Sequence, residues 1–165
     1  MNDAHLHMLV NHFPIVGTIL GLIILIGGVY FRSISIKNTA YFLFIIAAVF
    51  TVFSMSTGEG AEEIVEDMPT IGHEIIHNHE ELAEKFAIVL YLLGVVSVIG
   101  LITNIRNHPK ATFFSYAIVA IAAVAVFLST KVGTSGGEIR HTEIRSEAVN
   151  QNSNAASPKS ENNEY

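Results

Sequence analysis

The stretch "IVGTILGLIILIGGVYF", Ile15–Phe31, decides the fold because it contains no Asp, Glu, Lys or Arg. With flanking residues such as Phe13 and Pro14, it is long enough to cross a hydrocarbon core about 30 Å thick. Apolar and polar residues do not alternate along it, which argues against a strand of a membrane β-barrel. No Lys or Arg precedes it and no small-residue cleavage site follows it, so we expect it to stay in the mature protein.

Three further blocks also lack charged residues: Ala40–Met55, Phe86–Ile105 and Phe113–Thr130. Each reads as another membrane-spanning helix. The sequence therefore predicts an all-α integral membrane protein, a four-helix bundle within residues 1–145, with spans at about 13–31, 40–57, 86–105 and 112–130.

The connections between the blocks predict the orientation. The first and third, "RSISIKNT" and "NIRNHPKAT", carry Arg and Lys but no acid, whereas the middle connection is strongly acidic. By the positive-inside rule, the basic connections are cytoplasmic and both termini lie on the outer side. The net charge of −6 belongs mostly to that outer side, so nucleic acid is not expected as a partner. The apolar blocks make the lipid bilayer the first expected partner.

The segments outside the spans have distinct patterns. Glycines in "STGEGAEE", residues 56–63, predict a turn after the second span. An amphipathic helix at about 70–85 continues into the third span, and the fourth helix ends near Lys131. Asn11 is a candidate helix cap. Residues 146–165, rich in Asn, Ser and Glu, predict a disordered tail.

The chain has no cysteine, which excludes disulfides, iron–sulfur clusters and covalently attached c-type haem within it. Histidine and carboxylate chemistry remain. Of the eight histidines, only His108 is on the predicted inner side. The others, which the folded chain could bring together at the outer ends of the helices, are His5, His7, His12, His73, His77, His79 and His141.

The segment "HEIIHNHEEL", His73–Leu82, contains the H-E-x-x-H pattern of zinc metalloproteases. Helical periodicity places His73 and His77 on a polar face and His79 on the apolar face that continues into the third span. A protease also needs a third zinc ligand, and the extended form of the motif is absent. Proteolysis is therefore a remote alternative to a solvated polar face, and His73 and His77 are alternative ligands for a surface metal.

The element "HMLVNHFPI" at His7–Ile15 resembles an uncharacterised family of bacterial four-helix inner-membrane proteins, a domain of unknown function. The resemblance covers most of the chain up to about Arg145, and Met8 replaces the common proline after the first histidine. Some members are joined to c-type cytochrome domains, so the resemblance implies a redox neighbourhood in the bacterial inner membrane. The matching features are His7 and His12 before Phe13-Pro14, the Thr57-Gly58 pair, His79 with Ala83, and Gly136, Gly137 and His141.

These observations lead to the hypothesis of one b-type haem at the outer ends of the helices, serving electron transfer. The expected axial ligands are His12 and His79, which stand at the boundaries of spanning helices, with His7 and His141 as alternates or as partners that orient an imidazole. The electron partner would be a periplasmic c-type cytochrome, another respiratory membrane subunit or a quinone. A single haem is expected because His108 stands alone on the inner side.

The alternative is a non-catalytic membrane subunit or anchor with structural zinc or no cofactor. For His12 or His79 taken alone, a hydrogen bond to a backbone carbonyl or interfacial water is the simpler explanation. In either case we expect an electron-transfer or accessory protein, not an enzyme by itself. Transport is disfavoured because the spans contain no ionisable residue for ion coupling.

Overall fold

The structure, a computed structural model, describes residues 2–66 and 72–145. Within those ranges every regular element is helical. The elements are α1 (Asp3–Val10), α2 (His12–Tyr30), α3 (Ile34–Glu66), α4 (His73–Ile105), α5 (Ala111–Arg140) and a 3₁₀ turn at Thr142–Ile144. The expected tail at 146–165 and the start of the amphipathic helix at 70–71 lie outside the described residues.

Four helices are long and apolar enough to cross a membrane, which indicates a multi-pass membrane protein. The first is α1 and α2 together, since Asn11 between them keeps right-handed helical dihedral angles. Only 22% to 39% of the residues in the apolar window of each helix are buried. The rest of each window presents large apolar side chains outward, as in a helix surrounded by lipid.

Two helices continue past the ends expected from the sequence. The turn expected at Gly58 and Gly60 is absent, because α3 runs through both to Glu66, and α5 runs past Lys131 to Arg140. These glycines provide space for another part of the chain. A Cβ atom on Gly58 would lie 3.7 Å from the His7 ring, and one on Gly60 would meet the Asp3 side chain at 2.5 Å.

The four long helices pack around a shared core. α2 contacts α3 and α5, α4 also contacts α3 and α5, and α1 lies against α3. Glycines bring the helices close: Gly21 lies against the Phe44 ring and Gly94 against Ala48. The most deeply buried apolar side chains are Leu25, Tyr41, Phe44, Leu90, Leu93 and Ile118.

The two ends of the molecule differ in chemistry. At one end lie the connections of residues 31–33 and 106–110, and we call it the arginine end; Asn104 Nδ2 donates there to Asn38 Oδ1 at 3.0 Å. At the opposite end, the histidine end, α1, the last turns of α3 and α5 and the first turns of α4 meet. Hydrogen bonds from His7 to α3 and from His79 to α5 connect the helices there.

Candidate functional site

His7 lies on α1, which begins where the Asn2 side chain accepts a hydrogen bond from the His5 backbone. The half-buried ring packs against α3, with Nδ1 at 3.0 Å from the Ser54 carbonyl oxygen and 3.3 Å from Thr57 Oγ1. A carbonyl oxygen only accepts hydrogen bonds, so Nδ1 carries the proton. In the neutral ring, Nε2 then has its lone pair free.

His79 reaches the same tautomer through a different partner. Its Nδ1 lies 2.9 Å from Ser135 Oγ on α5. The Ser135 hydroxyl donates its own proton to the Val132 carbonyl oxygen at 3.1 Å, so it accepts from His79. Nε2 of His79 therefore also presents a lone pair.

The two rings are electrostatic neighbours outside the apolar spans, His7 preceding Phe13 and His79 preceding Phe86. Burial lowers the pKa of His7 below its usual value, against a smaller opposite effect of the hydrogen bond to Ser54. Burial also lowers the pKa of His79, and the charge of His7 lowers it further. Both effects favour neutral imidazoles, the form that binds metals.

Glycines line both rings. A Cβ atom on Gly136 would lie 3.0 Å from Cε1 and 3.6 Å from Nε2 of His79. A Cβ atom on Gly58 would lie 3.7 Å from Cε1 of His7, an ordinary van der Waals distance. Any larger residue at Gly136 would displace the His79 imidazole or fill the space next to its free nitrogen.

Asn11 does not act as the cap expected from the sequence, since its side chain makes no capping hydrogen bond. It lies one helical turn after His7, and its Oδ1 atom is buried with no hydrogen-bond donor among the described residues. A buried carbonyl oxygen without a donor is uncommon and normally accepts from water or a ligand.

The other expected ligands lie at the surface. His12 is exposed, with Nδ1 at 2.9 Å from the Met8 carbonyl oxygen in its own helix. His141 is also exposed and contacts Glu143 at 2.8 Å. Of the four histidines expected at the cofactor, His7 and His79 are the two that are partly buried, and the charge of His7 affects the pKa of His79.

The H-E-x-x-H pair faces solvent, as helical periodicity predicts. The side chains of His73 and His77 are 80% and 75% exposed and contact Glu66 and Glu80 at 2.9 and 3.7 Å. Over residues 2–66 and 72–145, no three His, Cys, Asp or Glu side chains cluster as a metal site would require. Within that part of the chain, the protease motif has no third ligand.

Carboxylates surround the histidine end. Glu62 on α3 lies near Glu80 on α4, and its pKa is raised first by partial burial and then by the charges of Glu80 and Glu66. His77 opposes this effect. The last turns of α3 and the first turns of α4 therefore form an acidic rim at the histidine end.

Sequence reasoning missed the partners that orient the rings. Ser54 was not identified because it accepts through its backbone carbonyl oxygen, which every residue has. Ser135 was not identified because a serine near the end of an apolar span is also typical of a helix that bonds its own backbone. The Thr57-Gly58 pair and Gly136 were noted only as matching features. In the structure, Thr57 and Gly58 contact His7, and Gly136 contacts His79.

Comparison with known proteins identifies no relative, since no family model, curated protein or solved structure matches this chain. The resemblance at "HMLVNHFPI" stays a prediction.

Proposed function

We propose that this chain is a membrane electron-transfer protein that binds one b-type haem at the histidine end, where His7 and His79 would hold the iron. The observation that supports this most is that both rings donate through Nδ1, which leaves the Nε2 lone pair of each ring available to a metal ion. His7 replaces His12 in the proposal because the His12 ring is exposed and bonded within its own helix.

The number of ligands favours haem over zinc. Zinc sites take three or four protein ligands, whereas haem iron needs only one or two because the porphyrin supplies the others. Among the described residues, the histidine end has two partly buried imidazoles, His7 and His79. No three His, Cys, Asp or Glu side chains of the described residues cluster as a zinc site would require. Gly58 and Gly136 let the two rings pack directly against α3 and α5.

Haem, when bound, would carry one electron between the ferric and ferrous states. The chain's own residues prepare the ligands for it. The Ser54 carbonyl oxygen and the Ser135 hydroxyl fix the ring orientation and the tautomer, and by accepting from Nδ1 they make Nε2 more basic. Partial burial keeps both imidazoles neutral and therefore able to ligate.

The negative charge of the histidine end indicates what kind of electron-transfer partner would bind there. An acidic rim at the histidine end attracts a basic protein surface and raises the rate of encounter. With the basic connections in the cytoplasm, the rim faces the periplasm of a bacterial inner membrane. A periplasmic c-type cytochrome, another respiratory membrane subunit or a quinone at this end would then exchange electrons with the haem.

The second candidate is a membrane subunit or anchor without a redox cofactor. It is favoured by the same hydrogen bonds, because His7 ties α1 to α3 and His79 ties α4 to α5 without needing any metal. In that case the two rings serve to hold the histidine end together.

Visible absorption of the purified full chain, with haem supplied during expression, distinguishes the two. Electron transfer predicts one Soret band that shifts on reduction and low-spin spectra that disappear in His7→Ala and in His79→Ala. His12→Ala and His73→Ala, which alter exposed rings, should keep the spectrum. A chain that folds but shows no Soret band, with zinc or nothing on metal analysis, leaves only the anchor.

A matched pair of serines tests how the rings are oriented. Ser135→Ala removes the acceptor for His79 and should weaken haem binding by about tenfold, the effect expected of a partner that orients a ligand. Ser129→Ala removes a buried hydroxyl that bonds the Val126 carbonyl in the same helix and should leave haem binding unchanged. Equal effects of the two variants would show that Ser135 contributes only packing.

A further inference from the structure

A groove of about 440 Å³ opens between α2 and α5 at the arginine end. These two helices pack less extensively than the other neighbouring long helices, which leaves the space between them. Tyr30 and Tyr116 at its border are 79% and 60% exposed. The lining residues are Ile26, Val29, Tyr30, Arg32, Tyr116 and Val119.

The groove is chemically divided along its length. Ile26, Val29 and Val119 form an apolar floor toward the middle of the membrane. Arg32 lies at the loop end, in the connection between α2 and α3. Tyrosine is favoured at the boundary between hydrocarbon and water, and a guanidinium binds phosphate through paired hydrogen bonds.

The charge of this end is of one sign. Its connections carry Arg32, Arg106 and Lys110, and Lys37 lies in the first turn of α3, whereas the carboxylates of the described residues lie toward the histidine end. A basic surface next to a membrane attracts anionic lipid head groups. The groove therefore combines an apolar channel with a positive site where a head group would lie.

The backbone at Arg32 supplies an independent observation. Its φ of 52° lies in the left-handed region that favours glycine or asparagine, and the connection between α4 and α5 uses Asn107 there, with φ 48°. An arginine in this conformation is strained relative to glycine. We infer from this strain that the guanidinium of Arg32 has a function at this position.

We propose that the groove binds one anionic phospholipid, with its phosphate at Arg32 and an acyl chain along Ile26, Val29 and Val119. The tyrosines border the head group at the membrane surface. This site is at the opposite end of the molecule from His7 and His79 and does not depend on haem binding.

Native mass spectrometry of the full chain in detergent, titrated with phosphatidylglycerol or with phosphatidylcholine of the same acyl chains, tests the proposal. One phosphatidylglycerol should be retained in preference to phosphatidylcholine. Arg32→Gln should weaken its binding by about tenfold, as the loss of a charged hydrogen bond does. Arg106→Gln, which removes one charge from the same end but does not line the groove, should have no effect.

Arg32→Gly separates binding from folding, because glycine relaxes the backbone while removing the guanidinium. It should lower lipid binding as much as Arg32→Gln does, with no loss of thermal stability in lipid-free detergent. Equal retention of the two lipids, or equal losses in the Arg32 and Arg106 variants, would overturn the proposal. Competition by glycerol 1-phosphate as strong as by the lipid would show a site for soluble phosphate instead and would also overturn it.

Discussion

At the scale of single residues, the site depends on which nitrogen of each imidazole carries the proton. Ser54 O can only accept, and the Ser135 hydroxyl has already donated to Val132 O. Both rings are thereby set with Nε2 unprotonated. The sequence could show that histidines are concentrated at one end of the molecule, but it could not choose His7 over His12. The choice depends on which face of the first helix packs against α3, and α1 was not expected as a helix.

The lowered pKa values of His7 and His79 predict a loss of stability in acid. The unfolded chain takes up protons at these rings near pH 6.5, whereas the folded chain takes them up only at lower pH. Stability is therefore complete above about pH 6.5 and falls as the pH drops from there toward the folded pKa. Thermal unfolding in detergent at pH 7.5 and 5.5 measures it.

The matched variants for this test are His7→Asn and His79→Asn, which should each reduce the difference in melting temperature between the two pH values. His73→Asn, which alters an exposed side chain, should leave that difference unchanged. If all three variants behave alike, burial of the paired rings is not the source of the pH dependence.

At the scale of the helices, the apolar blocks predicted four spans, and the structure has four helices able to cross a membrane. The ends of these helices could not be predicted from composition. Glycine at 58, 60 and 136 suggests a turn when the sequence is considered alone, because glycine weakens an isolated helix. In the folded chain these glycines instead lie within helices. Asp3 and His79 occupy the space that a Cβ atom on Gly60 or Gly136 would fill, and a Cβ atom on Gly58 would contact His7.

Close helix packing at glycine predicts that Gly94→Ala destabilises the protein. A Cβ atom there would lie 2.6 Å from Ala48 Cβ, so α3 and α4 must move apart, at a cost of about 1–3 kcal/mol. Gly27→Ala is the matched control, because nothing lies within 4 Å of its new Cβ atom. It should be neutral or should stabilise by up to about 1 kcal/mol. Thermal unfolding in detergent checks both, and equal melting temperatures would contradict this account of α3–α4 packing.

At the scale of the whole molecule, polar groups are concentrated toward the two ends. Imidazoles and carboxylates lie at one end, and the Asn38–Asn104 and Tyr41–Ser115 pairs lie toward the other. Between them the core is mainly Leu25, Phe44, Leu90 and Leu93, and Thr18 and Thr51 bond carbonyls of their own helices. The interior between the two ends is therefore mainly apolar.

The orientation of the molecule can be tested directly because the chain has no cysteine. Glu63→Cys, exposed near the histidine end, should react with a membrane-impermeant maleimide in intact spheroplasts. Ser35→Cys, exposed at the arginine end, should react only after the membrane is permeabilised, because the basic connections are retained in the cytoplasm. The opposite pattern would place the histidine end and its acidic rim in the cytoplasm and exclude a periplasmic partner.

The central claim is that one iron takes an imidazole from α1 and another from α4. Pulsed EPR of the oxidised, haem-loaded protein with ¹⁵N-labelled histidine counts the coordinated imidazole nitrogens. Two coordinated imidazole nitrogens are expected in the unaltered chain, fewer in His7→Ala and in His79→Ala, and two in His12→Ala. Two coordinated imidazoles that persist without His7, or that are lost only when His12 is replaced, would contradict it.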